Sequence, residues 1–141
     1  MKVFLDTREF NRFIDKSTKK LKNTKKPLKR MARVETEAAQ YRIRTSKQTP
    51  DGQPWAAWAY STFISRIRNG TVGTGPLYVS GLLMRSFKSR VTSTKATISN
   101  TAPYATYLQE GTDNMPARPF MGFGRESHDR INDIMMEHLE K

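Results

Sequence analysis

The stretch Met115-Pro116-Ala117-Arg118-Pro119-Phe120-Met121-Gly122 constrains the fold more than any other part of the chain. Its two prolines lie three residues apart. Each fixes its own φ and removes a backbone donor. Each also biases the residue before it, Met115 and Arg118, toward extended conformations. The segment therefore cannot be a helix or a central strand. It is expected to form a stiff, extended arm that presents Arg118 outward and delivers Phe120 and Met121 to a packed surface. Such an arm suits docking better than catalysis. Read alone, it is equally an ordinary loop leading into an edge strand.

The flanking sequence reads as helices around a small sheet. Asp6 is placed to cap a helix, with Glu9 reaching back and Leu5 and Phe10 spaced as a hydrophobic staple. Phe10, Phe13, Ile14, Ser17 and Leu21 recur at helical spacing and predict an amphipathic helix over 7–22. Pro27 suits the first turn of a second helix reaching about Thr45, with Leu28, Met31, Ala32, Ala38 and Ala39 toward the core. A single helix kinked at Pro27 is the alternative. Pro50, Gly52 and Pro54 keep 46–61 irregular, and Asp51-Gly52 is turn chemistry. A short helix is predicted over 60–68. Asn69–Pro76, with three glycines and a proline, reads as a mobile loop that orders on assembly. A helical turn over 80–85 precedes two alternating runs, Phe87–Thr92 and Lys95–Ser99, which predict an antiparallel hairpin turning at Ser93-Thr94. Pro103–Glu110 predicts a short helix closed by Gly111. Phe120–Phe123 predicts a third strand. Ile131, Ile134, Met135, His138 and Leu139 mark a C-terminal helix over 125–140. The fold class is α+β, with the N-terminal helices and the C-terminal helix packed on a small antiparallel sheet. A length of 141 residues fits one domain, 1–141, with a basic helical region over 7–45.

Several function classes fall away. The chain has no cysteine, which excludes disulfides and thiolate metal sites. No apolar run approaches the roughly 20 residues of a membrane span, and the N-terminus meets charge too soon for a signal peptide. No Walker loop, HExxH pair or nucleophile elbow occurs. His128 and His138 lie on different faces of one helix, and His138 reads as a packed or rim residue. No catalytic residue, metal site or cofactor is expected, and a small hydrolase is the least supported reading.

Charge points instead to anionic partners. Lysine and arginine total 25 against 13 acidic residues, a formal charge of +12. Lys16 to Arg33 holds nine basic residues and no acidic one. On a helical wheel these surround everything but the apolar face. They read either as a solvated surface or as contact, through Lys19, Lys20, Lys22, Lys25, Lys26, Lys29 and Arg30, with DNA or an acidic protein surface. No aromatic interleaves with them, so single-strand stacking is not expected there. No sequence-reading DNA motif occurs.

Four segments, taken in order, carry a resemblance. They are Thr49-Pro50-Asp51-Gly52-Gln53-Pro54-Trp55 with Trp58 and Ser61-Thr62; Leu77 with Ser80-Gly81-Leu82-Leu83 and Ser86-Phe87; Pro103-Tyr104-Ala105 with Gln109-Glu110-Gly111-Thr112; and Pro116–Gly122. Together they resemble the phage virion morphogenesis family, which includes tail completion proteins of Mu-like and related contractile-tailed phages. The likeness is close over about 48–124. Leu83-Met84 departs from the more polar pair expected there, and the lysine-rich region has no counterpart to carry over. The resemblance implies a head–tail joining fold and a structural, non-enzymatic protein of the virion tail or neck, assembled in the host cytoplasm. It implies a homo-oligomeric ring, commonly a hexamer around the DNA channel, docked on neck or connector and tail terminator or tube proteins; nonspecific contact with DNA in the channel is one of the two readings of the basic stretch, not something the resemblance carries. On that reading Trp55, Trp58, Arg118, Phe120 and Met121 are interface residues, with Arg118 pairing an acid on an adjacent subunit, and Arg118→Ala should harm assembly more than folding. Trp55 and Phe120 are equally readable as core. A basic nucleic-acid-binding accessory protein is the alternative function.

Overall fold

The computed structural model describes residues 7–77 and 80–141. The expected Asp6 cap and the Leu5–Phe10 staple lie outside the described residues and side chains. Helix α1 spans Thr7–Lys22 and α2 spans Lys25–Tyr41. They are separate helices, broken at Asn23-Thr24. Pro27 sits in the first turn of α2, where its missing donor is no loss because the first four N–H groups have no helical partner. Leu21, expected on the packed face of α1, is half exposed.

Helix α2 does not end at Tyr41. It widens into a π-helical turn over Arg42–Ser46, which Lys47 closes with a left-handed φ of 54°. The remaining elements are α3 (Tyr60–Arg68), a 3-10 turn at Val72–Thr74, α4 (Leu82–Arg85), strands β1 (Phe87–Val91) and β2 (Ala96–Asn100), α5 (Ala105–Glu110) and α6 (Arg125–Glu140). The strands pair antiparallel in the register Phe87↔Asn100 to Val91↔Ala96. The class is α+β.

Helix α2 is the hub, packed against α6 on one side and the hairpin on another. Met31, Val34 and Ile134 form the α2–α6 seam, with Leu28, Ile131 and Met135 against it. Ala32 and Ala39 are buried further round α2. The main core gathers Ile43, Trp55, Leu77, Leu83, Ala102, Ala105 and Phe120, with Met84, Phe87, Leu108 and Met121 packed on it. Phe87 meets Phe120 edge to face at 6.0 Å.

Polar contacts fasten the corners. Thr24 is buried, and both its N–H and its Oγ1 donate to Ser93 O at 2.8 Å, pinning the α1–α2 corner to the hairpin tip. Asn100 Nδ2 donates to Leu83 O at 2.8 Å, and Gln40 Nε2 to Met84 O at 3.1 Å, taking up carbonyls of short α4. The N–H of Gly124 donates to Ser127 Oγ, which donates back to Gly124 O, both at 3.1 Å, capping α6. A side chain at 124 would place Cβ 2.6 Å from Pro50 O, so only glycine lets the Thr49–Gly52 turn lie against the start of α6.

Phe120–Phe123 is not a strand. The apolar run predicts one, but a side chain takes the place of a partner strand. Gln109 Oε1 accepts the N–H groups of Phe120 and Met121, each at 3.1 Å, and Gln109 Nε2 donates to Met121 O at 2.9 Å.

Candidate functional site

The proline arm is extended, as its prolines require, but it lies inward. The turn before it is closed by two backbone bonds between Thr112 and Met115. Gly111 has φ 77°, and an added Cβ would sit 2.7 Å from Ala117 N, so the arm folds back directly over the end of α5. Arg118 N–H then donates to Leu108 O at 2.7 Å.

Arg118 itself corrects the expectation of an outward-facing arginine. It is 6% exposed. Nε donates to Ala56 O and Nη2 to Ala57 O, both at 2.9 Å. The guanidinium closes the Trp55–Trp58 segment onto the arm, as a planar fork with charged donors can. Burial, with the nearby Arg66 charge, pushes its pKa below the ordinary arginine value. It remains cationic at any pH the protein meets.

The tryptophans divide. Trp55 is core, and its Nε1 donates to Pro119 O at 2.8 Å. Trp58 is half-buried, with the Arg66 guanidinium 4.2 Å above its ring and Phe63 at 6.5 Å. Arg66 also donates to Gly75 O at 3.0 Å and Pro76 O at 3.4 Å, so the glycine-rich segment is tied to α3. Phe120 is fully buried at the centre of the core, and Met121 is half-buried against it. Arg118, Trp55 and Phe120 thus converge on one spot inside the subunit. Phe123, at the end of the arm, is 75% exposed.

Two residues that sequence reasoning left without a role complete this region. Arg42 is buried and Nη1 donates to Phe120 O at 3.1 Å, to Gly122 O at 2.9 Å and to Glu35 Oε1 at 3.3 Å. Glu35 is equally buried, and its Oε2 has no partner. A helix-wheel reading would have flagged Glu35, which lies among buried Met31, Ala32, Val34 and Ala39.

The lysine-rich stretch separates into two groups. Lys20 Nζ donates to Leu139 O at 2.6 Å, and Arg30 pairs with Glu137 at 2.9 Å, so both hold the end of α6. His138 Nε2 lies 3.2 Å from Lys20 O, a packed rim position. Lys141 and Arg30 hold the Glu137 carboxyl down to about 2. Lys19, Lys22, Lys25, Lys26 and Lys29 are exposed and make no ion pair among the described residues.

A further apolar surface lies on α3. None of its residues is buried, yet Tyr60, Phe63 and Ile67 are 79%, 39% and 52% exposed and recur at helical spacing on one face. A polar cleft of about 520 Å³ opens between the Thr49–Gly52 turn and the start of α6, lined by Arg42, Asp51, Phe123 and Arg125 among others. Thr49 Oγ1 donates to Asp51 Oδ1 at its rim, closing the turn. Among the described residues no cluster of histidine and carboxylate groups could hold a metal ion, and no helix is long and apolar enough to cross a membrane.

Compared with known proteins, residues 5–140 match the profile of the phage virion morphogenesis family. Neither a curated protein nor a solved structure matches the chain.

Proposed function

Because the chain belongs to the phage virion morphogenesis family, a group of virion assembly proteins, we propose that it completes the head-proximal end of the tail as one subunit of a homo-oligomeric ring. On this reading it is a non-enzymatic component of the virion neck, docking to connector or tail terminator proteins.

The observation that carries the reading is the amount and kind of surface the single chain leaves uncovered. It exposes 10446 Å². A compact monomer of this length exposes about 7500 Å². The chain is thus more extended than a compact monomer, which leaves surface for a neighbour to cover. On α3, Tyr60, Phe63 and Ile67 form an exposed face with aromatic character suited to a subunit boundary. Such a patch meeting a different patch on the next copy is a head-to-tail contact, which closes into a ring when the rotation permits. The interface role belongs on this reading to α3, Trp58 and Phe123, while Trp55, Arg118 and Phe120 hold the shape that presents them.

The test is native mass spectrometry and electron microscopy of the purified protein, alone and with tails lacking it. Rings or tail-end density are expected. The double variant Tyr60→Ser with Ile67→Ser should fold, since neither side chain is buried, yet fail to assemble. Normal tail completion by that variant would remove α3 from the interface. Virions whose intact particles lack the protein would overturn the reading.

A further inference from the structure

The sequence contains two long stretches without an acidic residue, Lys16–Val34 and Gly52–Gln109. They are far apart in the chain. The Thr24–Ser93 contact brings them together, since Thr24 lies at the corner of α1 and α2 and Ser93 at the tip of the β1–β2 hairpin. Lys22, Lys25 and Lys26 flank one side of that contact and Lys95 the other. The hairpin continues the charge. Lys88 lies opposite Ser99 and Arg90 opposite Thr97, so these four share one face, and all four are exposed.

We propose that the α1–α2 corner and the outer face of the hairpin form one surface that binds the phosphate backbone of duplex DNA without reading its sequence. It is distinct from the apolar α3 face and does not depend on ring formation.

Three observations select this partner. First, Lys22, Lys25, Lys26, Lys88, Arg90 and Lys95 are exposed, and none makes an ion pair among the described residues. Their charge is therefore available to an external anion. Second, the outer hairpin face carries only cations and hydroxyls, Lys88, Arg90, Thr97 and Ser99. Protein interfaces have an apolar centre, which this face lacks, whereas cations with serine and threonine hydroxyls are the usual donors to phosphate oxygens. Third, no aromatic side chain belongs to the surface, which disfavours single strands, and no helix with a row of base-reading side chains enters it, so its cations are placed for phosphates rather than for a sequence. A two-stranded ribbon also fits against a duplex groove. Lys88 and Arg90, two residues apart on one strand, are spaced roughly 7 Å along it, so they reach successive points on a backbone.

Fluorescence anisotropy with two labelled duplexes of unrelated sequence tests this. Both should bind alike at about 50 mM salt and weaken roughly a thousandfold by about 200 mM, as six displaced counterions require. Lys88→Ala with Arg90→Ala should lower the slope of log affinity against log salt by about two. These positions are exposed, and an unchanged circular dichroism spectrum and melting temperature will show that the variant folds. Arg44→Ala with Arg125→Ala, the same loss of charge elsewhere, should leave the slope unchanged. The proposal is overturned by absence of duplex binding at about 50 mM salt, by equal loss in both double variants, or by polyglutamate binding more tightly than duplex DNA. The last result would identify an acidic protein as the partner.

Discussion

Arg118→Ala separates a role inside the subunit from one between subunits. The side chain gives two charge-assisted bonds, Nε to Ala56 O and Nη2 to Ala57 O, each 2.9 Å long. Bonds of this class contribute about 1.5–3 kcal/mol each. Desolvation of the guanidinium, seen in its lowered pKa, offsets part of that sum. A net loss of about 2–4 kcal/mol is expected, a large share of the roughly 5–15 kcal/mol that holds a domain folded. Urea denaturation followed by tryptophan fluorescence is the assay, because Trp55 is bonded to Pro119 O beside Arg118 and reports on the arm. Arg118→Lys should lose about half as much, since one ammonium cannot span both carbonyls in the fork geometry. Assembly should then fail only to the extent that the variant is unfolded. If Arg118→Ala leaves the unfolding free energy within about 0.5 kcal/mol of the parent yet abolishes assembly, the intramolecular account of Arg118 is wrong.

Gln109→Met keeps the size of the side chain but leaves two amides and a carbonyl of the arm without partners, and should destabilise by about 2–4 kcal/mol. Gln109→Glu keeps both amides bonded and should cost less, so equal losses would refute the pairing. Arg42→Met strands the buried Glu35 carboxylate as well as the Phe120 and Gly122 carbonyls and should cost about 3–5 kcal/mol, while adding Glu35→Leu should recover the part due to the carboxylate and leave the part due to the two carbonyls; urea melts of the two variants check this. The Glu137 carboxyl, depressed to about 2 by Lys141 and Arg30, contributes pairing that is complete above the ordinary carboxylate range and is lost as pH falls through about 2. An NMR titration showing Glu137 protonating in the ordinary range would contradict that pairing.

Elements with a repeating pattern were readable from sequence. The apolar spacing of Ile131, Ile134 and Met135 locates α6, and the alternation after Phe87 locates the hairpin, because both patterns follow from burying one face. Pro27 and Asp51-Gly52 were readable because their constraint is local. Phe120–Phe123 was misread because its pattern is that of a strand, whereas its partner is the side chain of Gln109, a contact that no period encodes. Arg118 was misplaced for a related reason. A lone arginine between prolines suggests the surface, and only the fold supplies the two carbonyls that let it be buried. The exposed face of α3 carries the same spacing as a packed helix, so sequence alone does not distinguish the two. The Thr24–Ser93 contact joins residues 69 apart and leaves no local signature.

The position of Phe120 has a consequence for the timing of folding. The core around it is drawn from residues spread over 43–120, and the bonds that fix the arm, from Arg42, Trp55 and Arg118, span 61 to 80 residues. Contacts of such long separation form slowly. During synthesis Ile43, Trp55, Leu77 and Leu83 emerge well before the side chain that fills the space between them. Until residue 120 is made, the growing chain is a basic polypeptide with its future core open to solvent. Folding of this core therefore waits on the synthesis of residue 120.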